Sequence, residues 1–440
     1  MGVERVWTPA FARPAHRRAG TRFAFARPRR VLCDKRNTLR TAAPLLIGTY
    51  VPDKQDSLGV LGRANQARWS KPSTVSWTCR KEQREWTDLW VNLASLWAPG
   101  AAACWADNFR LVNRPNGTSV DPPGVEVRVG SGEPFGALEP VLCLDPGLLC
   151  DETAYMKPLA ERLEREAGLV PGKTLLAAPY DHRYATDALA GGNARFEEDL
   201  TALVERASAA AGGRGVALIS HSLGGLVALH WLQGRPAEWK REMGLSWISL
   251  STPFGGAAKE YRLLASGDAD LVPGVSPLKV RSEQRTSEIE YWLLPSAAAF
   301  GDTAILTGPD GAQYTASDGD RKRLFQALKL GDGIAAVYER VSKLVDLETP
   351  PGVRLLAVAG AGVETEEAYD YRGTDFDTQP HRESGDGDGV VSSASLGLCQ
   401  KWGNTTFVRV RGVDHTAVLQ DTRVFAGILA ELSGHSAAVA

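Results

Sequence analysis

The feature that most constrains the fold is a serine that lies between a strand-like run and a helical run. Residues 216–220 form a short apolar run of the kind that favours a buried strand. Residues 226–233 place apolar side chains at helical spacing. Ser222 lies between the two runs, in the sequence Ser-His-Ser-Leu-Gly. The sequence therefore predicts a strand, a sharp turn that carries Ser222, and a helix.

A turn of this kind requires small residues two positions before and two positions after the serine, because the strand and the helix approach closely around it. Gly224 meets the second requirement, and Ser220 meets the first although glycine is usual there. His221 is expected to shape the turn rather than act as a base, because adjacent residues on a tight turn point apart. The alternative is a chance Ser-x-Gly sequence after a strand, and the partners of Ser222 decide between the two.

From Pro140 onward, short apolar runs alternate with helical patterns, as in βαβ units around a parallel sheet. The predicted strands are residues 141–144, 174–178, 216–220, 245–250, 353–359 and 406–410. The predicted helices are residues 155–167, 194–210, 226–233, 321–330 and 421–432. Together with the serine turn, this alternation predicts an α/β fold of the α/β-hydrolase type. Residues 41–440 are expected to form one domain, since a single sheet with insertions can absorb that length.

Three segments do not follow this alternation. Residues 60–135 are rich in tryptophan and predict an N-terminal cap or lid beside the core. Residues 257–285 contain glycine and proline at positions that prevent a long element, and they predict a long mobile lid loop. Residues 1–40 are rich in arginine and predict a disordered or cleaved leader. Their composition fits an organelle transit peptide better than a secretory signal, which needs an apolar core.

A serine hydroxyl needs a base and an orienting carboxylate to become a nucleophile at neutral pH, and in this fold type the acid and the histidine follow the serine in that order. Of the histidines that follow Ser222 in the chain, three lie beyond the predicted helix of residues 226–233: His381, His415 and His435. His435 lies in a tail rich in serine and alanine, and His381 precedes the acidic loop. His415 follows the last predicted strand and precedes the closing helix, so we expect it to be the base.

The candidate acids lie in the glycine-rich run of residues 383–391, where a loop can turn a carboxylate toward the imidazole. Asp388 is preferred over Asp386. A solvated acidic turn and a calcium loop are the alternatives. Calcium is disfavoured because it takes about six to eight oxygen ligands, which this short run does not supply.

Composition argues against several other functions. The net charge of −2 over 440 residues leaves no basic footprint for a nucleic acid partner. The sequence contains no apolar run of about 18 residues, so any membrane contact is expected to be peripheral. The six cysteines do not combine with histidines at metal-ligand spacing. We therefore expect neither a metal nor a cofactor.

Several ordered runs resemble the lecithin:cholesterol acyltransferase family, which includes lysosomal phospholipase A2 and the phospholipid:diacylglycerol acyltransferases. These runs are residues 178–183, 222–226, 251–256, 264–268 and 387–391, together with His415. The resemblance extends with gaps from about Pro44 to the C-terminal helix. It implies a catalytic trio of Ser222, Asp388 and His415. It also implies transfer of a fatty acyl group from a glycerophospholipid, through an acyl-enzyme, to a sterol, a diacylglycerol or water.

The resemblance further implies a lid held by a disulfide between Cys79 and Cys104, and an acyl entrance lined by Trp90. Free thiols and a core tryptophan are the alternative. It also implies that the protein binds a phospholipid donor and a hydroxyl acceptor at the surface of a membrane or a lipid particle. The compartment would be a plastid-type organelle or a secretory lumen. The sequons at Asn116 and Asn404 permit glycosylation in the latter.

Three positions depart from the family pattern. Ala357 stands where a strand cysteine would pair with Cys399, so Cys399 is expected to be a free thiol. His182 replaces a tryptophan in a Tyr-Asp-Trp-Arg box. The family's Pro-Gly-x-x-Gly turn, which donates one oxyanion hydrogen bond, is replaced over residues 46–52. Leu223 would supply one N–H to the oxyanion, and Tyr50 or Thr49 the other. This departure motivates one further alternative, a non-catalytic lipid-binding protein of the same fold.

Overall fold

A parallel sheet forms the centre of the computed structural model, which describes residues 3–7, 43–48, 65–70, 79–88, 100–130, 132–143, 150–151, 153–187, 191–213, 215–270 and 274–434. Within these residues the strands are β1 (Val3–Trp7), β2 (Ala43–Gly48), β3 (Asn65–Ser70), β4 (Glu82–Asp88), β5 (Val112–Asn113), β6 (Ser119–Val120), β7 (Val125–Val129), β8 (Leu176–Ala177), β9 (Val216–His221), β10 (Ser246–Leu250), β11 (Leu306–Thr307), β12 (Gln313–Tyr314), β13 (Arg354–Ala361), β14 (Val363–Asp370), β15 (His381–Gly387) and β16 (Thr405–Arg411).

The α-helices of the described residues surround this sheet and connect its strands. In chain order they are α1 (Ala101–Phe109), α2 (Glu139–Leu142), α3 (Lys157–Ala167), α4 (Phe196–Ala210), α5 (Leu223–Gln233), α6 (Ala237–Glu242), α7 (Lys259–Ser266), α8 (Pro277–Gln284), α9 (Glu288–Trp292), α10 (Ala297–Phe300), α11 (Asp318–Ala327), α12 (Asp332–Val341), α13 (Ser393–Leu396) and α14 (Thr422–Leu432). No helix among them is long and apolar enough to cross a bilayer.

The central sheet has the order β1-β16-β13-β10-β9-β2-β8, and its neighbouring strands run parallel. Alternate residues of a strand point to opposite faces of a sheet. In β9, Val216 and Leu218 pack in one apolar cluster with α4 and α5. Ala217 and Ile219 pack in a second cluster with α3 and α14. Helices therefore cover both faces, which confirms the predicted α/β class.

The described part of the predicted cap forms its own small sheet. Strands β4, β3 and β7 pair antiparallel in that order. Its apolar side chains pack against helix α1 around Ala67, Phe109 and Val125. A short sheet of order β12-β11-β14-β15 lies elsewhere, and its last strand leads directly into Asp388.

Five predicted strands, at 174–178, 216–220, 245–250, 353–359 and 406–410, are present with shifted ends, but the one predicted at residues 141–144 is wrong. Residues 139–142 form helix α2, with Pro140 in its first turn, where the missing N–H of proline is tolerated. Cys143 makes only an isolated bridge to Ala154. A short apolar run does not by itself distinguish a strand from a helix, because its buried side chains fit either element.

The segment of residues 257–285 differs from the expected long loop. Its described part contains two helices, α7 and α8, and every residue of α7 is buried. Buried polar contacts stabilise it, because Lys259 and Arg262 both reach the carboxylate of Asp268, at 3.3 and 2.8 Å. Glycine and proline lie between or at the ends of these helices rather than inside them.

Of the expected leader, the structure describes residues 3–7. Residues 3–7 form β1, which pairs with β16 from Val3↔Thr406 to Trp7↔Val410. The outer edge of β16 presents backbone N–H and C=O groups that an added strand satisfies. Residues 8–40 of the leader lie outside the described residues.

Candidate active site

The serine turn has the backbone geometry that the sequence predicts. Strand β9 ends at His221 and helix α5 begins at Leu223, so Ser222 alone makes the turn. Ser222 has φ of 55° and ψ of −132°, a region that residues other than glycine rarely occupy. The N–H of Ser222 donates to the carbonyl of Leu250 at 3.0 Å. The surrounding backbone therefore holds a strained residue in place, as is common at functional sites.

Small residues are required around the turn because the segment after β10, which contains Thr252, packs against it. A Cβ added to Gly225 would lie 1.8 Å from Oγ1 of Thr252, so this position accepts only glycine. Ser220, where glycine is usual, is accommodated because the indole N–H of Trp247 donates to its hydroxyl at 2.8 Å. The departure at Ser220 therefore leaves no unsatisfied buried hydroxyl.

His415 lies in the loop after β16 and faces Ser222. Its Nε2 is 2.9 Å from Oγ of Ser222, and its Nδ1 is 2.7 Å from Oδ2 of Asp388. All three side chains are fully buried. Because a carboxylate only accepts hydrogen bonds, Nδ1 of His415 carries the proton and Nε2 presents its lone pair to the serine hydroxyl. This tautomer is the one a general base needs.

The two acids of the glycine-rich loop occupy different environments. Oδ1 of Asp388 accepts from the N–H groups of Val390 and Val391, at 3.1 and 2.8 Å, which fixes the carboxylate toward His415. Asp386 lies on the outer side of the loop, where it accepts from Ser393 Oγ at 2.6 Å and pairs with Arg409. Only Asp388 contacts the histidine.

One of the two expected oxyanion donors can be placed. Leu223 is the first residue of α5, so its N–H has no acceptor within the helix and lies at the positive end of the helix dipole. Strand β2 ends beside the turn, since Gly48 pairs with His221. Tyr50 and Thr49, the candidates for the second donor, lie outside the described residues. Trp90 also lies outside them.

The Tyr-Asp-His-Arg box joins the central fold to the cap. Arg183 is fully buried, and its guanidinium donates to the Phe109 carbonyl at 3.0 Å and to the Asp121 carboxylate at 2.8 Å. His182 is buried with its ring centroid 5.5 Å from that of Phe109. Burial lowers the pKa of His182 to about 3, so it remains a neutral part of an aromatic contact.

The cysteines form more links than the sequence suggested. Cys79 and Cys104 are joined by a disulfide that ties the start of β4 to helix α1. Cys143 and Cys150 form a second disulfide that sequence analysis missed. The separation of seven residues between the two cysteines is the feature of the sequence that could have indicated this pairing. Cys399 is a buried free thiol. In the part of the chain that the structure describes, no group of three or more His, Cys, Asp or Glu side chains could hold a metal ion.

The order of the strands and the turn at Ser222 define the α/β-hydrolase fold. The contacts from Asp388 through His415 to Ser222 define a serine hydrolase within it. The comparison with known families is more specific, because the model of the lecithin:cholesterol acyltransferase family matches residues 86–326 and 310–425. The chain belongs to this family.

Named relatives agree with this assignment. The chain is 38% identical over 374 residues to lecithin-cholesterol acyltransferase-like 1 of Arabidopsis thaliana, which covers 82% of this chain and 84% of the relative. It is 33% identical over 383 residues to lysosomal phospholipase A and acyltransferase of Bos taurus, covering 86% and 90%. It is 32% identical over 364 residues to phosphatidylcholine-sterol acyltransferase of Gallus gallus, covering 81% and 84%.

Among solved structures, a chain in the crystal structure of the Tle4–Tli4 complex has a TM-score of 0.52 at 13% identity. It covers 89% of this chain and 99% of its own length, and the likeness concerns the fold alone. Among the described residues of the site, nothing favours the non-catalytic alternative, since Ser222, His415 and Asp388 are all present and hydrogen-bonded.

Proposed function

We propose that this protein moves a fatty acyl group from a glycerophospholipid to an alcohol or to water through an acyl-enzyme on Ser222. The observation that carries the proposal is the continuous contact from Asp388 through His415 to Ser222, at 2.7 and 2.9 Å, on a strained turn. The names of the relatives, which describe phospholipase A and acyltransferase activities, support a phospholipid as the acyl donor.

In the first half-reaction, Nε2 of His415 takes the proton of Ser222 while Oγ attacks the ester carbonyl carbon of the lipid. Asp388 stabilises the imidazolium that forms. The oxyanion accepts a hydrogen bond from the N–H of Leu223, and we assign the second donor to Tyr50. When the intermediate collapses, the ester C–O bond breaks, and His415 returns the proton to the leaving lysolipid oxygen.

In the second half-reaction, an acceptor hydroxyl attacks the acyl-enzyme while His415 removes its proton. Water as acceptor yields a free fatty acid, and a sterol or a diacylglycerol yields a new ester. Ser222 Oγ leaves in either case and regains its proton from His415. The acceptor is therefore selected by the surfaces around the triad and not by the triad itself.

The cap of residues 60–135 and the segment of residues 257–285 are proposed to form those surfaces, within one domain of residues 41–440. Trp90 would line the acyl entrance, and the enzyme would act peripherally at a membrane or lipid-particle surface. The disulfide between Cys79 and Cys104 supports this role by holding the cap together.

A lumenal or secreted compartment suits the chemistry of the cysteines. Disulfides persist in oxidising environments and are rare where glutathione keeps thiols reduced. Two disulfides, Cys79–Cys104 and Cys143–Cys150, support such a compartment. Mass spectrometry of the protein from its native host, with thiols blocked before lysis, tests it by the presence of both linked peptides.

The function is tested by covalent labelling and by product analysis. A fluorophosphonate probe should label the wild-type protein at one site and leave Ser222→Ala unlabelled. Labelled phosphatidylcholine should then be incubated with a sterol, with diacylglycerol or without an acceptor, and the lipids separated. Labelling of Ser222→Ala, or the absence of both ester and fatty acid products, would contradict the proposal.

A further inference from the structure

His221, the residue before the nucleophile, connects the serine turn to the loop that carries His415. It is fully buried, and its two ring nitrogens have different partners. Nε2 lies 2.7 Å from the backbone carbonyl oxygen of His415, and Nδ1 lies 2.8 Å from the hydroxyl of Tyr155. The contact with His415 spans 194 residues of sequence and joins the end of β9 to the loop after β16, beside the contact between Ser222 and His415.

These partners determine which nitrogen of His221 carries a proton. A backbone carbonyl only accepts, so Nε2–H of His221 must donate to the carbonyl of His415. In a neutral imidazole the other nitrogen then accepts, and the hydroxyl of Tyr155 donates to it. Burial, as the largest cause, and the adjacent His415 lower the pKa of His221 well below its usual value, which agrees with a neutral ring.

The backbone of His415 is held from both sides by these contacts. Its N–H donates to the carbonyl oxygen of Asp388 at 2.8 Å, and its C=O accepts from His221. The first contact sets the position of the imidazole relative to the acid. The second sets it relative to the serine turn, because His221 is the chain neighbour of Ser222.

We propose that His221 and Tyr155 are positioning residues, which hold the backbone of His415 at the distance from Ser222 that proton transfer requires. This inference rests on the proposed function and adds two residues to it. Tyr155 acts through His221, since its hydroxyl fixes the tautomer that donates to the carbonyl. Tyr155 is itself held by its backbone N–H, which donates to the Leu142 carbonyl at 2.8 Å.

The neutral state of His221 matters for the same step. Its ring centroid is 5.0 Å from that of His415, which becomes positively charged during the reaction. A second positive charge at this distance in a buried site would oppose that charge. Neutral His221 donates through one ring nitrogen and accepts through the other. It therefore holds His415 by an oriented hydrogen bond without adding a charge.

The test compares three variants of the full-length protein with the wild type, using hydrolysis of a soluble nitrophenyl ester. His221→Leu removes the donor and should lower kcat roughly 10- to 100-fold with KM changed by less than about twofold, as expected for a displaced catalytic group. His221→Gln restores an N–H donor and should recover activity to within about fivefold of wild type. Tyr155→Phe, which keeps the ring, should lower kcat about 3- to 10-fold.

Two matched variants control for loss of a buried polar group. His230→Leu removes a partly buried histidine, whose Nδ1 lies 2.6 Å from the Leu344 carbonyl oxygen. Tyr338→Phe removes the hydroxyl of a buried tyrosine, which donates to the Asp318 carboxylate at 2.9 Å. Both should lower the melting temperature yet keep kcat per folded molecule within about twofold of wild type.

The results separate this inference from the function on which it rests. Wild-type kcat in folded His221→Leu, or equal losses in His221→Leu and His221→Gln, would overturn the positioning role. If His221→Leu does not fold, an unchanged kcat in Tyr155→Phe overturns it instead. Absence of fluorophosphonate labelling of the wild type, or labelling that survives Ser222→Ala, would contradict the proposed function itself, and with it any catalytic role of His221.

Discussion

The buried guanidinium of Arg183 donates to the carboxylate of Asp121 at 2.8 Å, and this ion pair joins the central fold to the cap. Arg183 also donates to Asp181, at 2.6 Å, so its charge is compensated from both sides. Burial, as the largest cause, raises the pKa of the Asp121 carboxyl, and the adjacent Arg183 opposes this rise. The position of the cap thus depends on a charge that has no access to water.

Removal of Arg183 should therefore destabilise the protein strongly. Arg183→Met removes the guanidinium that pairs with the buried carboxylate of Asp181, and breaking a buried pair in this way costs about 3–5 kcal/mol. The midpoint of urea unfolding, followed by tryptophan fluorescence, should fall accordingly. Arg195→Met is the matched control, because Arg195 is 78% exposed in its side chain and pairs only loosely. Equal midpoints for the two variants would contradict the structural role of Arg183.

Asp388→Asn should reduce turnover while leaving the fold intact. An amide in place of the carboxylate no longer favours the tautomer of His415 that accepts the serine proton, and in serine proteases this change lowers kcat about 10⁴-fold. Turnover of a soluble nitrophenyl ester measures the effect.

The neighbouring acid gives the control for that substitution. Asp386 has the same chemistry two residues away but contacts Arg409 and Ser393 instead of the histidine. Asp386→Asn should keep kcat within about threefold of wild type. A larger loss in Asp386→Asn than in Asp388→Asn would reassign the acid.

Gly225→Ala should abolish folding of the serine turn. The added Cβ would lie 1.8 Å from Oγ1 and 2.6 Å from Cβ of Thr252, so rotation of that side chain alone cannot relieve the clash. Gly319→Ala is the matched change in another helix, α11, where nothing lies within 4 Å of the added atom. It should stabilise the protein by about 0.5–1 kcal/mol. Soluble yield and thermal melts compare the two variants, and normal activity in Gly225→Ala would refute the packing argument.

Above about pH 7, where the histidines of the unfolded chain no longer bind protons, stability should fall as the pH rises to about 8, because of Glu283. Burial, as the main cause, raises the pKa of this carboxyl to about 8, and its Oε1 accepts from Ser287 Oγ at 2.7 Å. In this interval the folded protein binds a proton that the unfolded chain has released, so the free energy of unfolding decreases with pH.

Glu283→Gln identifies the group responsible. The amide cannot titrate, so the variant should show a flatter dependence of melting temperature on pH and a higher melting temperature than wild type at pH 8. Glu161→Gln, whose side chain is 56% exposed, should leave the slope unchanged. A slope that stays the same in Glu283→Gln would assign the pH dependence to other groups.

Loss of the cap disulfide should destabilise the protein. The bond between Cys79 and Cys104 closes a loop with a sequence separation of 25 residues, and a bridge of this kind contributes about 2–4 kcal/mol by restricting the unfolded chain. The double variant Cys79→Ser/Cys104→Ser should show that loss in urea unfolding. Reducing agent should lower the free energy of unfolding of the wild type by the same amount, plus the effect of breaking the second disulfide, Cys143–Cys150.

The order of Ser222, Asp388 and His415 along the chain could be predicted because Ser222 and His415 follow recognisable strands of the central sheet, and this fold type places the acid between them. Asp388 follows β15 of the smaller sheet, which no predicted strand marked. The second disulfide and the role of Tyr155 could not be predicted in this way. Tyr155 and His221 are 66 residues apart, and no local pattern relates them. The strand predicted at residues 141–144 is wrong because an apolar run of this length fits a helix or a strand, and only Pro140, in the first turn of α2, favours the helix.

The contact between His415 and Ser222 closes a loop of 193 residues, since the two side chains come from opposite ends of the central fold. Such long-range contacts form late, because the chain must first lose the entropy of closing the loop. Regain of esterase activity during refolding therefore reports on completion of the whole sheet, including β16. No fragment that ends before Thr405 can be active, however well its serine turn folds.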